Sequence, residues 1–411
     1  MEDEEPPQLL DVTSSEDEAG PSSPKDYDRP KVPITLLTGY LGAGKSTLLN
    51  YILKEEHGYK IAVCMNDFGD TTDIEAKSLT LSDPNSQTTS TEFLSLPNGC
   101  LCCSVKDMGI AAIEEMVINA PGGIDWVIVE LTGVADPGPI VRSFWANEEM
   151  GDLILDGVVC VVDSRNVLKQ LAEKREGDEV NECQKQVACA DVMLLNKLDL
   201  VSQHQLEQVE STIRTINPTL RVHQTVQSKM PLSDLFNLRA FSDPTALNSP
   251  SQSSTPNSHG DNHDHDHDHD HDHSHPKGEC EDSSQSHDHQ SRHYDGITTC
   301  SIPLPLLNQK QYFRLNEFLE SILWDQRFPT TRKDSPEILR TKGYIPLEDG
   351  REYVLQGVAD LFELKELPET LRKQQEEQEQ KEANKQSGKV VFIGKGVNDD
   401  LKNALIEFVG I

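Results

Sequence analysis

Short apolar runs separated by polar, helix-spaced stretches recur from residue 33 to about residue 222, and this rhythm governs the reading of the chain. Ile34–Thr38, Ile61–Met65, Asp125–Glu130, Gly157–Val162 and Asp191–Leu195 are too short for helices. They are rich in Val, Ile and Leu, as strands buried on both faces are. Thr47–Leu53 and Lys106–Ile118 read as helices between them. The alternation predicts an α/β fold with a doubly wound sheet. After Met65 the pattern predicts a polar loop to about Ser90, then a short apolar return at Phe93–Leu96.

A second patterned region runs from about Gly296 to Ile411. Strands are expected at Ile297–Leu304, Ile338–Ile345, Arg351–Val358, Leu361–Leu364 and Lys389–Ile393. Gln309–Trp324 places Leu315, Phe318, Leu319 and Ile322 on one helical face, and Asp399–Val409 predicts a closing helix. The charged stretch Leu371–Gln386 reads as a solvated insertion. The expected product is a smaller α+β domain.

Composition is segregated along the chain. Residues 1–31 form an acidic, Pro/Ser/Glu-rich tail that cannot bury enough surface to fold alone. Residues 239–295 form a low-complexity linker holding 11 of the 14 histidines. The expected organisation is therefore tail 1–31, nucleotide domain 32–238, His/Asp-rich linker 239–295 and C-terminal domain 296–411. A net charge of −33 argues against nucleic acid or anionic membrane as a partner. No apolar run reaches the roughly 18 residues needed to cross a bilayer. The acidic start is unlike a secretory or mitochondrial signal, so the expected compartment is the cytoplasm, extending to the nucleus. Nine cysteines without a disulfide rhythm are then expected to be reduced, and a cluster of them to bind metal.

Four motifs carry chemistry. Gly39-Tyr-Leu-Gly42-Ala43-Gly44-Lys45-Ser46 follows a strand and opens the helix containing Thr47, which is the context a P-loop requires. Its glycines let backbone N–H groups curl around a phosphate chain, Lys45 can reach the β/γ-phosphates, and the Ser46 hydroxyl can ligate Mg²⁺. Glu130 ends a strand, where a second carboxylate can face Mg²⁺ and the attacking water. Gly133 can sense a γ-phosphate through its N–H, and Asp67, in the loop after the Ile61–Met65 strand that follows the P-loop helix, lies within reach of Mg²⁺. Asn196-Lys197-Leu198-Asp199 matches a guanine-reading tetrapeptide. Asp199 can accept from N1–H and the 2-amino group of guanine, a donor pair adenine lacks, so GTP is favoured over ATP. Asn196 is expected to support the other edge of the base and Lys197 to lie along it. No arginine finger is evident, so intrinsic hydrolysis is expected to be slow, on the order of 10⁻⁴ to 10⁻² per second.

Cys100, Cys102 and Cys103 put three thiols in four residues, a soft donor set suited to Zn²⁺ or Cu(I). Ser104 and Asp107 read as part of a helix cap, which would lower the thiol pKa values. Three ligands without a fourth suggest an open transfer site that Asp67, Asp70 or a partner's ligand completes. The alternating tract containing His263, His265, His267, His269, His271 and His273 can present imidazoles on one side of an extended chain. It is expected to bind divalent metals weakly and with little selectivity.

Taken together, the P-loop, Asn66–Asp70, Gly99–Cys103, Glu130-Leu-Thr-Gly-Val-Ala-Asp-Pro137 and Asn196–Asp199 resemble the CobW-like GTPases. These are P-loop metallochaperones related to the nickel-insertion GTPases of hydrogenase and urease. The resemblance spans nearly the whole chain and implies GTP hydrolysis coupled to metal handling, with the cysteines as ligands. The acidic tail is similar to that of the eukaryotic zinc-chaperone branch, which implies zinc delivery to a client metalloprotein, with type 1 methionine aminopeptidase as candidate. The branch's docking motif is Cys-Pro-Glu-Leu-Val, whereas this chain has Pro7, Gln8, Leu9 and Leu10 without the cysteine. Asp67 and Asp70 stand where the family usually has Glu. Two alternatives remain at this stage: a nucleotide-modulated metal buffer or sensor without a client, and a chaperone for cobalt or nickel.

Overall fold

A computed structural model describes residues 30–55, 57–65, 78–82, 90–93, 106–120, 122–175, 180–241, 296–368 and 387–411. In chain order the first sheet is built from β1 (Val32–Thr38), β2 (Ile61–Met65), β3 (Ser78–Ser82), β4 (Ser90–Phe93), β5 (Trp126–Glu130), β6 (Leu153–Asp163), β7 (Val192–Asn196) and β8 (Arg221–Gln224). The strand order is β4-β3-β2-β5-β1-β6-β7-β8. The six strands from β2 to β8 pair in parallel, and β3 and β4 extend the edge antiparallel. The expected doubly wound sheet is present. The two edge strands replace part of the expected polar loop: Ser-Leu-Thr-Leu-Ser alternates with period two, but two leucines between hydroxyls give little apolar weight.

The connecting helices are α1 (Lys45–Lys54), α2 (Lys106–Asn119), α3 (Gly138–Ala146), α4 (Val167–Leu171), α5 (Glu182–Cys189) and α6 (Gln203–Ile216). They cover both faces, and β1 sends Ile34 and Leu36 into one core and Leu37 into the other. A mutual Ser202/Gln205 capping box starts α6, whose Leu206, Val209, Ile213 and Ile216 form its buried stripe.

Strand β6 is longer at its start than its apolar run predicts, because a bulge breaks the pattern. Leu155 pairs with Ile34 and Gly157 with Thr35, leaving Asp156 as the extra residue. The bulge has a use. The Asp156 carboxylate accepts from the Leu238 and Arg239 N–H groups at 3.1 and 2.9 Å, and its carbonyl accepts from Ala240 N–H. The segment leaving the nucleotide unit is thereby fastened to the sheet.

The second sheet contains β9 (Ile297–Leu304), β10 (Glu337–Pro346), β11 (Glu352–Val358), β12 (Leu361–Glu366) and β13 (Gly388–Lys395), in the order β12-β11-β10-β13-β9 and antiparallel throughout. Helices α7 (Gln309–Leu323) and α8 (Asp399–Val409) complete it. Leu315, Phe318, Leu319 and Ile322 of α7 are buried in its core, as the spacing predicts. Each such side chain contributes about 1.5–3 kcal/mol by leaving water.

The two sheets meet on a charged centre inside an apolar seam. One oxygen of Asp191 accepts from Arg340 Nη2 and Lys342 Nζ, both at 2.7 Å, and the other accepts from Val158 N–H at 3.0 Å. Burial pushes the Asp191 carboxyl up, but the two cations and these hydrogen bonds outweigh it and hold it below the usual range. The Arg340 guanidinium lies 4.5 Å from the centre of the Phe241 ring, whose other neighbour is Trp145 at 5.2 Å. Ile297, Val391 and Ile393 of the second sheet share a core with Cys183, Val187 and Ala188 of α5. Ile297 N–H donates to Gln184 Oε1 at 3.2 Å, so Phe241 before the 242–295 segment and Ile297 shortly after it are both held on this seam.

Two stability measurements follow. Asp191→Ala leaves two buried cations without their anion and should cost about 3–5 kcal/mol in urea denaturation at neutral pH. Burial moves the Asp156 carboxyl from its ordinary 3.8 up to about 6, against the two N–H bonds that favour its charged form. The folded state therefore binds this proton more tightly, and the resulting stability is full below pH ~4 and lost as pH rises through ~6. Relative to the wild type, Asp156→Asn should gain up to ~3 kcal/mol between those limits, at ~1.4 kcal/mol per tenfold. A difference independent of pH would refute this assignment.

Candidate nucleotide site

The carboxyl ends of β1, β5, β6 and β7 converge on one surface, and the P-loop leaves β1 there. Its backbone path depends on glycine at two positions. A Cβ on Gly39, at φ 141°, would stand 2.2 Å from the Val161 carbonyl oxygen. One on Gly44, at φ 117°, would stand 2.4 Å from Asn196 Nδ2. Gly44 also precedes the first turn of α1, which has no side-chain cap. The amides opening α1 are left to an anionic ligand.

Lys45 is buried and donates to the Gly39 carbonyl at 2.8 Å, folded back along the loop it serves. Burial lowers its pKa; the opposing charge of Glu130, at the end of β5, offsets part of that effect. Ser46 and Thr47 are exposed on the first turn of α1. Gly133 lies against the P-loop, since a Cβ there would come within 2.7 Å of the Leu41 nitrogen.

The tetrapeptide that closes β7 also braces the site from within. Asn196 is buried, and its side chain faces the protein. Nδ2 donates to the Ala43 carbonyl at 3.0 Å, while Oδ1 accepts from Ser228 N–H at 2.8 Å and Thr225 Oγ1 at 3.2 Å. Ser228 Oγ closes the triangle by donating to the Gly44 carbonyl at 3.2 Å. Asn196 thus braces the P-loop against the loop following β8. Lys197 takes a left-handed conformation, φ 62°, and donates to the Gly42 carbonyl at 2.7 Å and to Asp163 at 2.8 Å. Burial raises the Asp163 carboxyl, but bonds from Lys197, Asn166 and Arg165 N–H hold it below the usual range. Asp199 is exposed on the same rim. Sequence reading did not single out Thr225, Ser228 or Asp163; the only signal was their place at the carboxyl end of β6 or just beyond β8.

The sequence matches the CobW/HypB/UreG nucleotide-binding domain over residues 33–224 and the cobalamin synthesis protein CobW C-terminal domain over residues 310–408. It is 33% identical over 347 residues to the zinc-regulated GTPase metalloprotein activator 1 of Schizosaccharomyces pombe, covering 83% of this chain and 78% of that protein. The Saccharomyces cerevisiae protein of the same name is 32% identical over 82% of this chain and 77% of its own length. The chain belongs to the CobW family of P-loop GTPases. The fold agrees with the crystal structure of Zn(II)-bound YjiA GTPase from E. coli, at TM-score 0.61 and 22% identity over 92% of this chain and 99% of that one.

Within this CobW-family chain the structure brings together Gly39, Gly42, Ala43, Gly44, Lys45, Ser46, Thr47, Glu130, Gly133, Asn196, Lys197 and Asp199 on the carboxyl edge of the sheet. Asp67, Asp70, Cys100, Cys102, Cys103, the His263–His273 tract and Pro7–Leu10 lie outside the described residues. Among the described residues, no group of three or more His, Cys, Asp or Glu side chains gathers as a metal site.

Asp199→Ala should lower GTP affinity by about 100-fold or more, the loss of two hydrogen bonds to a charged acceptor. ATP affinity should change less than threefold, as read by fluorescent-nucleotide displacement. Equal losses for both nucleotides would rule out Asp199 as the guanine reader.

Proposed function

We propose that this GTPase is a zinc chaperone that couples its nucleotide state to loading zinc and passing it to a client metalloprotein. One observation carries the reading: a P-loop site with a guanine-reading tetrapeptide shares the chain with the Cys100, Cys102 and Cys103 cluster just ahead of α2. Relatives named zinc-regulated GTPase metalloprotein activator point the same way.

In this reading GTP lies along the P-loop with its phosphates on the first turn of α1. Lys45 moves from the Gly39 carbonyl to the β/γ-phosphates. The exposed Ser46 hydroxyl and the carboxylates of Asp67 and Glu130 are hard oxygen donors that suit Mg²⁺, which when bound neutralises charge on the β- and γ-phosphates. Glu130 orients the attacking water, and the N–H of Gly133 meets the terminal phosphate. Zinc is cargo: Cys100, Cys102 and Cys103 hold it, with Asp70 or a client ligand completing the shell. The His263–His273 tract supplies a weak accessory store. Thiolates of an open site must stay reduced, which suits the cytoplasm and nucleus.

We further propose type 1 methionine aminopeptidase as the client, engaged through the tail around Pro7–Leu10. Retention of that enzyme by the full chain, and its loss on deleting residues 1–31, is the expected pull-down result.

The coupling itself is tested by chelator competition for zinc on protein lacking residues 259–293, with a GTP analogue and with GDP. Linkage of about 1–3 kcal/mol makes the site about 5- to 150-fold tighter in one nucleotide state. Cys102→Ser should abolish that tight site. Equal zinc affinity in both states would leave a metal buffer as the better description.

A further inference from the structure

Helix α5 touches both the Thr132–Asp136 turn of the nucleotide site and the second sheet. Its Gln186 is 1% exposed, and Nε2 donates to the carbonyls of both Gly133 and Ala135 at 3.1 Å. The neighbouring Lys185 pairs with Asp136 at 3.0 Å, and Asp136 accepts from Gly138 N–H at 3.0 Å. On its other side the same loop rests on Leu41 of the P-loop, which leaves no room for a Cβ on Gly133. The turn from Thr132 to Asp136 is therefore gripped between the phosphate loop and one helix.

That helix is itself immobilised. Glu182 at its start pairs with Arg175, which also donates to the Tyr40 hydroxyl of the P-loop. Gln184 receives Ile297 N–H of the second sheet, and Cys183, Val187 and Ala188 are buried in the shared core.

We propose that Gln186 is a positioning residue for GTP hydrolysis, fixing the peptide planes after Gly133 and Ala135 so that the Val134 N–H faces the terminal phosphate beside that of Gly133. The proposal rests on the reading above that Gly133 meets that phosphate. The physical reason lies in the trans peptide. With the Gly133 and Ala135 carbonyls turned toward α5, the N–H groups of Val134 and Asp136 on the same peptide planes must point away from it. One amide gripping two carbonyls removes a degree of freedom that a glycine would otherwise leave open. Gln186 Oε1 is buried without a partner among the described residues. The side chain is thus kept by its donor alone, and only a donor of this length and shape satisfies both carbonyls.

The test compares the affinities of a non-hydrolysable GTP analogue and of GDP, with Mg²⁺, for the full chain, Gln186→Met, Gln186→Glu and Gly133→Ala, each checked by thermal melting. Gln186→Met should weaken the analogue about tenfold, equivalent to ~1.4 kcal/mol, with GDP within about twofold. Gln186→Glu, which sets a carboxylate against two carbonyls, should widen that gap, and kcat should fall in both variants. A purely structural glutamine would lower both affinities in parallel or neither, and either result overturns the proposal. If Gly133→Ala narrows the preference for the analogue while Gln186→Met does not, the phosphate reading stands and the role of Gln186 is refuted. If neither variant changes that preference, the phosphate reading of Gly133 fails and the proposal falls with it.

Discussion

A carboxylate as deeply buried as that of Asp191 survives only because the protein surrounds it with donors, and the seating of one sheet on the other depends on that condition. Removing such a group from water costs several kcal/mol, and the cost is repaid only with close, well-aligned partners. Arg340 and Lys342 come from alternate positions of β10 and reach the same oxygen, while Val158 N–H of β6 takes the other. Strands β6 and β10, from two sheets, must therefore be in register with the residue that leads into β7 before the charge is tolerable. Apolar packing around Phe241 and Ile297 supplies area; the buried anion supplies the geometry.

The same short strand ends in a second fixed point. Five residues after Asp191, Asn196 ties the P-loop carbonyl of Ala43 to Thr225 and Ser228. Strand β7 joins the two points, with Asp191 just before its amino end bonded to β10 of the second sheet and its carboxyl end in the nucleotide site. Asp163 on the neighbouring β6 holds Lys197 on the Gly42 carbonyl, so the phosphate loop is braced from below by two adjacent strand ends.

Much of this was legible in the sequence where the cause is local. The P-loop announces itself because its glycines, Lys45 and Ser46 stand at fixed spacing between a strand and a helix, even though the groups that crowd Gly39 and Gly44 are the distant Val161 and Asn196. The α7 stripe and the limits of β9 and α8 were likewise readable, because one period of apolar spacing fixes them. The inward turn of Asn196 was not, since its acceptors and donors come from residues about 30 and 150 positions away in sequence, brought near only by the sheet order. Asp156 shows the same limit: an acid inside an apolar run looks like a strand end, yet it is a bulge that receives a distant segment. The edge strands β3 and β4 carry too few bulky residues to stand out from a polar loop.

Phe241 and Ile297 bracket the histidine-bearing segment, and each is clasped on the seam between the sheets. That segment is consequently an insertion closed on one platform rather than a tether between two bodies. For such a connection, doubling the number of residues adds only about 0.6 kcal/mol of closure entropy. Expansion or contraction of the His-Asp repeat would then leave the fold almost indifferent, so the length of that repeat can drift in evolution independently of the nucleotide site.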